Sequence, residues 1–336
     1  MGNSKTCCVT GGCGFIGSNL VHELSRTGWR VDVVDDMSNG TLDNLEGLNV
    51  RVVPGFMIPQ YEEKYEADRG PSTVLVVHDD IESATVLRRI ENGKYDSIFH
   101  LAANPRVAYT VENPANTFDI NVTRTIKMLE SMNLAPNRVR FIFSSTSSVY
   151  GNVEELPTKE SHPKAPLSPY GLQKLTVEEF LRMSHSLYGT DSVCLRYANV
   201  YGPRQLGDSP YSTAISAWCQ KVHNNLPLRS DGDGEQTRDM VFVGDVVTAN
   251  ILAATREEGF SGTEINIGTG TRVSNNEILQ KFRQRFDGVE VNHAPTRIGD
   301  VRDTQLDITR AKNLLGYFPT TELDEGLKAT WKWWNL

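Results

Sequence analysis

Thr6-Cys7-Cys8-Val9-Thr10-Gly11-Gly12-Cys13-Gly14-Phe15-Ile16-Gly17 is the stretch that decides the fold. Its first five residues read as a short buried strand. A glycine loop follows, and then an apolar-periodic helix over 18–27 with Leu20, Val21 and Leu24 on one face. Strand, glycine loop and helix form the context that a dinucleotide site requires. Gly11 allows the tight turn, Gly14 lets a pyrophosphate approach the backbone, and Gly17 lets helix and strand pack closely. The helix N-terminus then receives the negative charge. The second strand, over 29–34, ends in Asp35-Asp36. An acid at this point accepts hydrogen bonds from adenosine ribose hydroxyls and repels a 2′-phosphate, so NAD is expected rather than NADP.

Outward from this unit the chain alternates. Strands are expected over 95–103, 139–145 and 192–196, and helices over 116–132 (Phe118, Val122, Ile126 and Leu129 on one face) and 170–187. Such alternation gives an α/β fold, a Rossmann-type doubly wound parallel sheet with helices on both faces. From Asn199 the pattern loosens into shorter elements, as in a smaller α/β C-terminal domain. We therefore divide the chain at 198/199, with 241–257 returning to the first domain. Residues 56–73 are polar and charged, with Pro59, Gly70 and Pro71, and read as a surface loop inserted before a strand over 73–77.

Two further patterns carry chemistry. In Ser168-Pro169-Tyr170-Gly171-Leu172-Gln173-Lys174, Ser168 suits a helix cap and Pro169 a first helical position. Tyr170 and Lys174 then share one helix face. A free tyrosine is only about 0.1% phenolate at pH 7. A fixed ammonium favours the anion, and an oxidised nicotinamide adds to the effect, so Tyr170 is a candidate general base for a hydroxyl. In Phe141-Ile142-Phe143-Ser144-Ser145-Thr146-Ser147-Ser148-Val149-Tyr150-Gly151, an apolar strand runs into hydroxyl residues. The C-terminal end of such a strand faces the cofactor crevice of a doubly wound sheet. A hydroxyl there can bind a substrate hydroxyl and relay its proton towards Tyr170.

With His100-Leu101-Ala102-Ala103, Asn121, Arg196-Tyr197-Ala198-Asn199-Val200-Tyr201-Gly202-Pro203-Arg204, Gln236-Thr237-Arg238-Asp239, Asn266-Ile267-Gly268-Thr269-Gly270 and Arg297-Ile298-Gly299-Asp300, these motifs resemble the extended short-chain dehydrogenase/reductases. Within them the chain is most similar to the UDP-sugar 4-epimerases. The resemblance implies Thr146, Tyr170 and Lys174 as catalytic residues. It implies NAD contacts at Gly11, Gly14, Phe15, Ile16, Gly17, Asp35, Ser38, Asn39, Asp80, Ile81, Ala102 and Asn121, besides Tyr170 and Lys174. For a UDP-sugar it implies Ser145, Thr146, Ser147, Asn199, Arg238, Arg297, Asp300 and Thr304. Residues 199–336 would then bind the nucleotide sugar, and the helices over 116–132 and 170–187 would pair across a homodimer.

The hydroxyl cluster separates reactions within the resemblance. Related 4,6-dehydratases place Asp-Glu after the catalytic threonine, where this chain has Ser147 and Ser148. A hydroxyl near its ordinary pKa is a poor substitute for a carboxylate as acid or base. Oxidation and re-reduction at one carbon is the expectation. UDP-glucuronate 4-epimerisation, dehydration and NAD binding without catalysis are the alternatives. A small residue at Thr304 suggests room for a C2 acetamido group.

Composition agrees with a globular enzyme. The chain has 336 residues, 39% hydrophobic and 23% charged, with a net charge of −8. That charge argues against a nucleic-acid surface and makes locally placed arginines necessary for an anionic substrate. The chain has no apolar run of membrane-spanning length and no secretory signal. Five cysteines without metal-ligand spacing point to a reducing compartment, and we expect a cytoplasmic protein with no metal and no membrane partner. Met1-Gly2-Asn3-Ser4-Lys5-Thr6 matches a myristoylation pattern, but the first strand begins too soon to leave a tether.

Overall fold

A computed structural model describes residues 5–66, 69–70, 72–207, 214–295 and 301–336. The first part alternates: β1 (Thr6–Thr10), α1 (Phe15–Arg26), β2 (Arg30–Asp35), β3 (Asn49–Pro54), α2 (Ile58–Tyr65), β4 (Thr73–His78), α3 (Ala84–Glu91) and β5 (Ser97–His100). Then come α4 (Val107–Glu112), α5 (Pro114–Phe118), α6 (Arg124–Leu134), β6 (Arg140–Thr146), α7 (Pro169–Tyr188) and β7 (Asp191–Tyr197). The second part holds β8 (Asn199–Tyr201), α8 (Ala214–His223), β9 (Leu228–Asp231), β10 (Thr237–Arg238), β11 (Met240–Phe242) and α9 (Val243–Thr255). It ends with β12 (Ser261–Ile267), β13 (Val273–Ser274), α10 (Asn275–Arg285), β14 (Val291–Ala294), α11 (Thr309–Leu315) and α12 (Leu323–Trp333).

Eight parallel strands form one sheet in the order β12-β7-β6-β5-β1-β2-β4-β3. The order reverses between β1 and β5, which opens a crevice at the strand ends where doubly wound sheets take ligands. Alternate side chains feed two cores. Val9, Val33, Val76 and Ile142 pack on one face with α1 and α9. Cys8, Val34, Val77 and Phe141 pack on the other with α3, α6 and α7. Each fully buried aliphatic or aromatic side chain contributes about 1.5–3 kcal/mol. A third cluster, around Trp218, Phe282 and Trp331, packs α8, α10 and α12 together. The C-terminal tryptophans are thus part of a packed helix end. None of the helices among the described residues is long and apolar enough to cross a membrane.

The structure differs from the sequence reading in three elements. The helix expected over 116–132 is α5 and α6 joined by a π-helical turn, Asp119–Thr123, which carries Asn121. The large sheet also recruits β12, beyond the returning segment read from the sequence. And the stretch 56–73, read as a surface loop, forms α2, whose Ile58 and Tyr61 are buried. Just past it, Arg69 reaches into the sheet and pairs with Asp32 at 2.5 Å, and Arg89 and Tyr95 bind the same carboxylate. Arg89 also pairs with Glu62 of α2. The insertion is therefore docked by charge pairs on one face of the sheet.

Candidate active site

The glycine loop is closed by backbone contact. A Cβ on Gly17 would stand 2.1 Å from the Gly11 carbonyl oxygen, and one on Gly11 would meet the Ala102 backbone at 2.8 Å. Gly11 also adopts φ +68°, in the left-handed region. α1 starts at Phe15, three residues earlier than its apolar pattern suggested, so the first-turn amides of Phe15 and Ile16 end at the loop without intrahelical partners. Asp35, at the end of β2, ties this loop to its neighbour: its carboxylate accepts from the Cys13 amide at 2.8 Å and the Met37 amide at 2.9 Å. Burial nonetheless pushes the Asp35 carboxyl up. Ser38 and Asn39 follow as exposed residues. Gly40, which sequence reasoning missed, packs against the same loop, where a Cβ would stand 2.6 Å from the Cys13 carbonyl carbon. Across the crevice, Asp80 pairs with Arg124 and Ile81 is buried.

Ala102 and Asn121 are joined by one chain of hydrogen bonds. The Ala102 amide donates to Thr10 Oγ1 at 3.2 Å, and Thr10 meets His100 Nδ1 at 2.8 Å. On its other side His100 Nε2 meets Thr125 Oγ1 at 2.9 Å, which donates to the Asn121 carbonyl at 3.0 Å. These partners assign the proton to Nε2 of a neutral imidazole. Burial, with Lys174 adding to it, pushes His100 down to about 3. The Asn121 side chain meanwhile accepts from the Asn104 amide at 2.7 Å and donates to the Asn104 carbonyl at 3.0 Å and to Gln173 Oε1 at 2.7 Å. π-turns such as the one bearing Asn121 recur at functional sites.

α7 carries Tyr170 and Lys174 as the sequence suggested. Ser168 caps it, accepting from the Gly171 amide at 3.2 Å, with Pro169 at the first position. Gly171 lets this end lie on the hydroxyl turn after β6: a Cβ there would stand 2.9 Å from the Ser148 carbonyl oxygen. Lys174 is buried. Its Nζ donates to the Ser144 carbonyl at 2.8 Å and lies 6.0 Å from the centre of the Tyr170 ring. Thr146 and Ser147 are half-buried at the strand end, and Thr146 Oγ1 accepts from the Ser148 amide at 3.1 Å. In the protein alone, burial pushes the Tyr170 phenol up, with Tyr197 adding to it, and pushes Lys174 down to about 7. The lowering of Tyr170 expected from the ammonium is not seen in the protein alone, where burial is the larger effect.

Ser145 departs from expectation. It is buried, and its hydroxyl donates to Glu178, not into the crevice. The cause is strand alternation, which turns it away from the face that Thr146 presents. Of the residues matched to a UDP-sugar, Asn199, Arg238 and Thr304 gather around the Asp239 backbone. The Asn199 amide donates to the Asp239 carbonyl at 2.9 Å, and the Asp239 amide to Thr304 Oγ1 at 3.3 Å. Arg238 precedes Asp239 on β10 and donates to the Arg302 carbonyl at 3.1 Å. Arg297 and Asp300 lie outside the described residues. Glu178 and Gln173 were missed from the sequence. The four-residue helical step that pairs Tyr170 with Lys174, taken once more, reaches Glu178.

A glycine cradle with no room for a Cβ, a helix start aimed at the switch point and an acid closing the second strand fit a dinucleotide. Together with a buried lysine beside a tyrosine, they define a nicotinamide-dependent enzyme of the short-chain dehydrogenase/reductase type. Residues 8–330 match the GDP-mannose 4,6 dehydratase family, and the chain belongs to it, within the NAD-dependent epimerases and dehydratases. NAD is its cofactor. A putative UDP-glucose 4-epimerase of Methanocaldococcus jannaschii is 36% identical over 97% of both chains. The fold superposes on a UDP-glucose 4-epimerase of Thermotoga maritima bound to UDP-glucose, with TM-score 0.84 and 34% identity over 98% of both chains. It also superposes on a UDP-N-acetylglucosamine 4-epimerase of Methanobrevibacter ruminantium, with TM-score 0.85 and 30% identity over 99% of this chain and 98% of that one. A UDP-N-acetyl-alpha-D-glucosaminuronate decarboxylase of Bacillus cytotoxicus is 29% identical over 98% of both.

Proposed function

We propose that the protein is a UDP-sugar 4-epimerase acting on UDP-hexoses, UDP-N-acetylhexosamines included. The observation that carries this reading is the hydroxyl turn: Thr146 is followed by Ser147 and Ser148, with no carboxylate to drive elimination, beside the Tyr170–Lys174 pair. Bound NAD supplies a hydride acceptor that can return the hydride to the same carbon. The protein does the rest. Tyr170, as phenolate, takes the proton of the C4 hydroxyl, with Thr146 bridging the two oxygens. Lys174 balances the phenolate's charge. Arg238, with Arg297, binds the diphosphate through bidentate hydrogen bonds, and Asn199 and Asp300 bind the uridine side. The 4-keto sugar turns over while the UDP stays anchored, and Tyr170 returns the proton to the opposite epimer.

Two finer points belong to this reading. Thr304 leaves space for an acetamido group. The exposed apolar residues Phe118, Leu172, Met183 and Leu187 on α5 and α7 form the contact of a homodimer. The test is incubation with UDP-glucose, UDP-N-acetylglucosamine and UDP-glucuronate without added NAD, followed by NMR of the products. Epimers at C4 of the neutral sugars are expected. A 4-keto-6-deoxy sugar, or turnover of the uronate alone, contradicts the proposal.

A further inference from the structure

Glu178 is fully buried on α7, four residues after Lys174 and therefore on the same helix face. It binds two groups from the sheet. Arg196 of β7, also fully buried, donates through Nε to Oε1 at 2.9 Å and through Nη2 to Oε2 at 2.5 Å. The Ser145 hydroxyl donates to Oε1 as well. Lys174 binds the carbonyl of Ser144, so two residues one helical turn apart grip two successive residues of β6, just before Thr146. A fully buried ion pair is a weak source of stability, since desolvation offsets its attraction. Its position beside the site needs another explanation.

We propose that Glu178 is a positioning residue for the Tyr170–Lys174 pair: its carboxylate fixes α7 against the end of β6 and holds Lys174 as an ammonium. This rests on the role given above to Tyr170 and Lys174. The pair with one proton fewer exists in two forms, neutral tyrosine with neutral amine, or phenolate with ammonium. Their ratio is set by surroundings, not by pH. Lys174 faces Tyr170 and Glu178 on its own helix, His100 on β5 and Cys194 on β7, with the Arg196 guanidinium of β7 on the far side of Glu178 as the opposing charge. Burial keeps His100 and Cys194 neutral, and it pushes Lys174 itself down to about 7; among these neighbours Glu178 is the main group acting to raise it. The carboxylate therefore favours the phenolate–ammonium form.

The test is NMR titration of the purified holoenzyme labelled with [13Cε]lysine, with the Lys174 signal assigned by its loss in Lys174→Met. Glu178→Gln keeps the shape and removes the charge. We expect the Lys174 midpoint to fall by about one unit or more, a tenfold change in its protonation equilibrium, and kcat to drop about tenfold with KM within about twofold. If Glu178→Gln does not fold because Arg196 is left uncompensated, Glu178→Asp, which keeps the charge on a side chain one methylene shorter, is titrated in its place, with a smaller fall expected. An unmoved midpoint in the folded variant overturns the inference. A wild-type protein that converts no UDP-sugar, yet shows the Lys174 shift, supports this inference and overturns the proposed function. An active epimerase whose Lys174 ignores Glu178 does the reverse.

Discussion

In the proposed reaction Tyr170 bears the heaviest chemical demand, because burial disfavours the anion that the reaction would use. Tyr170→Phe removes one oxygen. It should leave the fold and the bound NAD intact and lower turnover by orders of magnitude, measured as C4 epimerisation against NAD content after denaturation. His100 makes a second prediction. Its imidazole is held neutral down to about 3, whereas in the unfolded chain it titrates near ~6.5. Between those values the unfolded chain binds a proton that the folded chain refuses. The stability is therefore complete above about pH 6.5 and is lost as pH falls towards 3, on the order of 5 kcal/mol in all. Urea unfolding at pH 7, 5.5 and 4 should show this decline, and His100→Asn should flatten it; parallel declines contradict the assignment. At Thr304, Thr304→Tyr should depress turnover of UDP-N-acetylglucosamine far more than that of UDP-galactose. Overpacking costs ~1–3 kcal/mol, roughly 5- to 150-fold in selectivity. Equal effects on both sugars would place Thr304 outside the sugar pocket.

At the scale of elements, what the sequence made legible was local. The strand–glycine–helix unit and the Ser168–Lys174 start of α7 are each decided within a dozen residues, by spacing and capping chemistry. What it hid was long-range. Ser145 could be assigned to the crevice because its chemistry allows it; alternation along β6 turns it from the face of Thr146, and its partner Glu178 comes from α7, 33 positions away in the chain. α2 was hidden because its anchor, Arg69, is paired with Asp32, a residue 37 positions away in the chain. Lys174 was expected as a settled ammonium because burial, which lowers it, is a property of the packed site alone. Gly17→Ala tests the cradle directly. With Gly11 O at 2.1 Å from the new Cβ, α1 must shift away from β1. Loss of co-purified NAD and a lower Tm are expected. Retention of both would show that the loop is more compliant than its contacts suggest.

At the scale of the molecule, the large sheet sets Thr10-Gly11, Asp35, His100 and Thr146 at the C-terminal ends of its strands, and the second half of the chain contributes Asn199, Arg238 and Thr304. Phe118, Leu172, Met183 and Leu187 leave an apolar face beside it. Light scattering at micromolar concentration should give a dimer, and Leu172→Glu/Leu187→Glu should give a monomer with Tyr170 and Lys174 undisturbed. A monomeric wild type contradicts the pairing without touching the chemistry. In the proposed reaction one hydride leaves C4 and comes back to it. UDP-glucose carrying deuterium at C4, turned over without added NAD, decides this most directly. UDP-galactose that keeps the deuterium at C4, with no hydrogen entering from solvent, is expected. Deuterium found at C6, or lost from C4 to water, would contradict it.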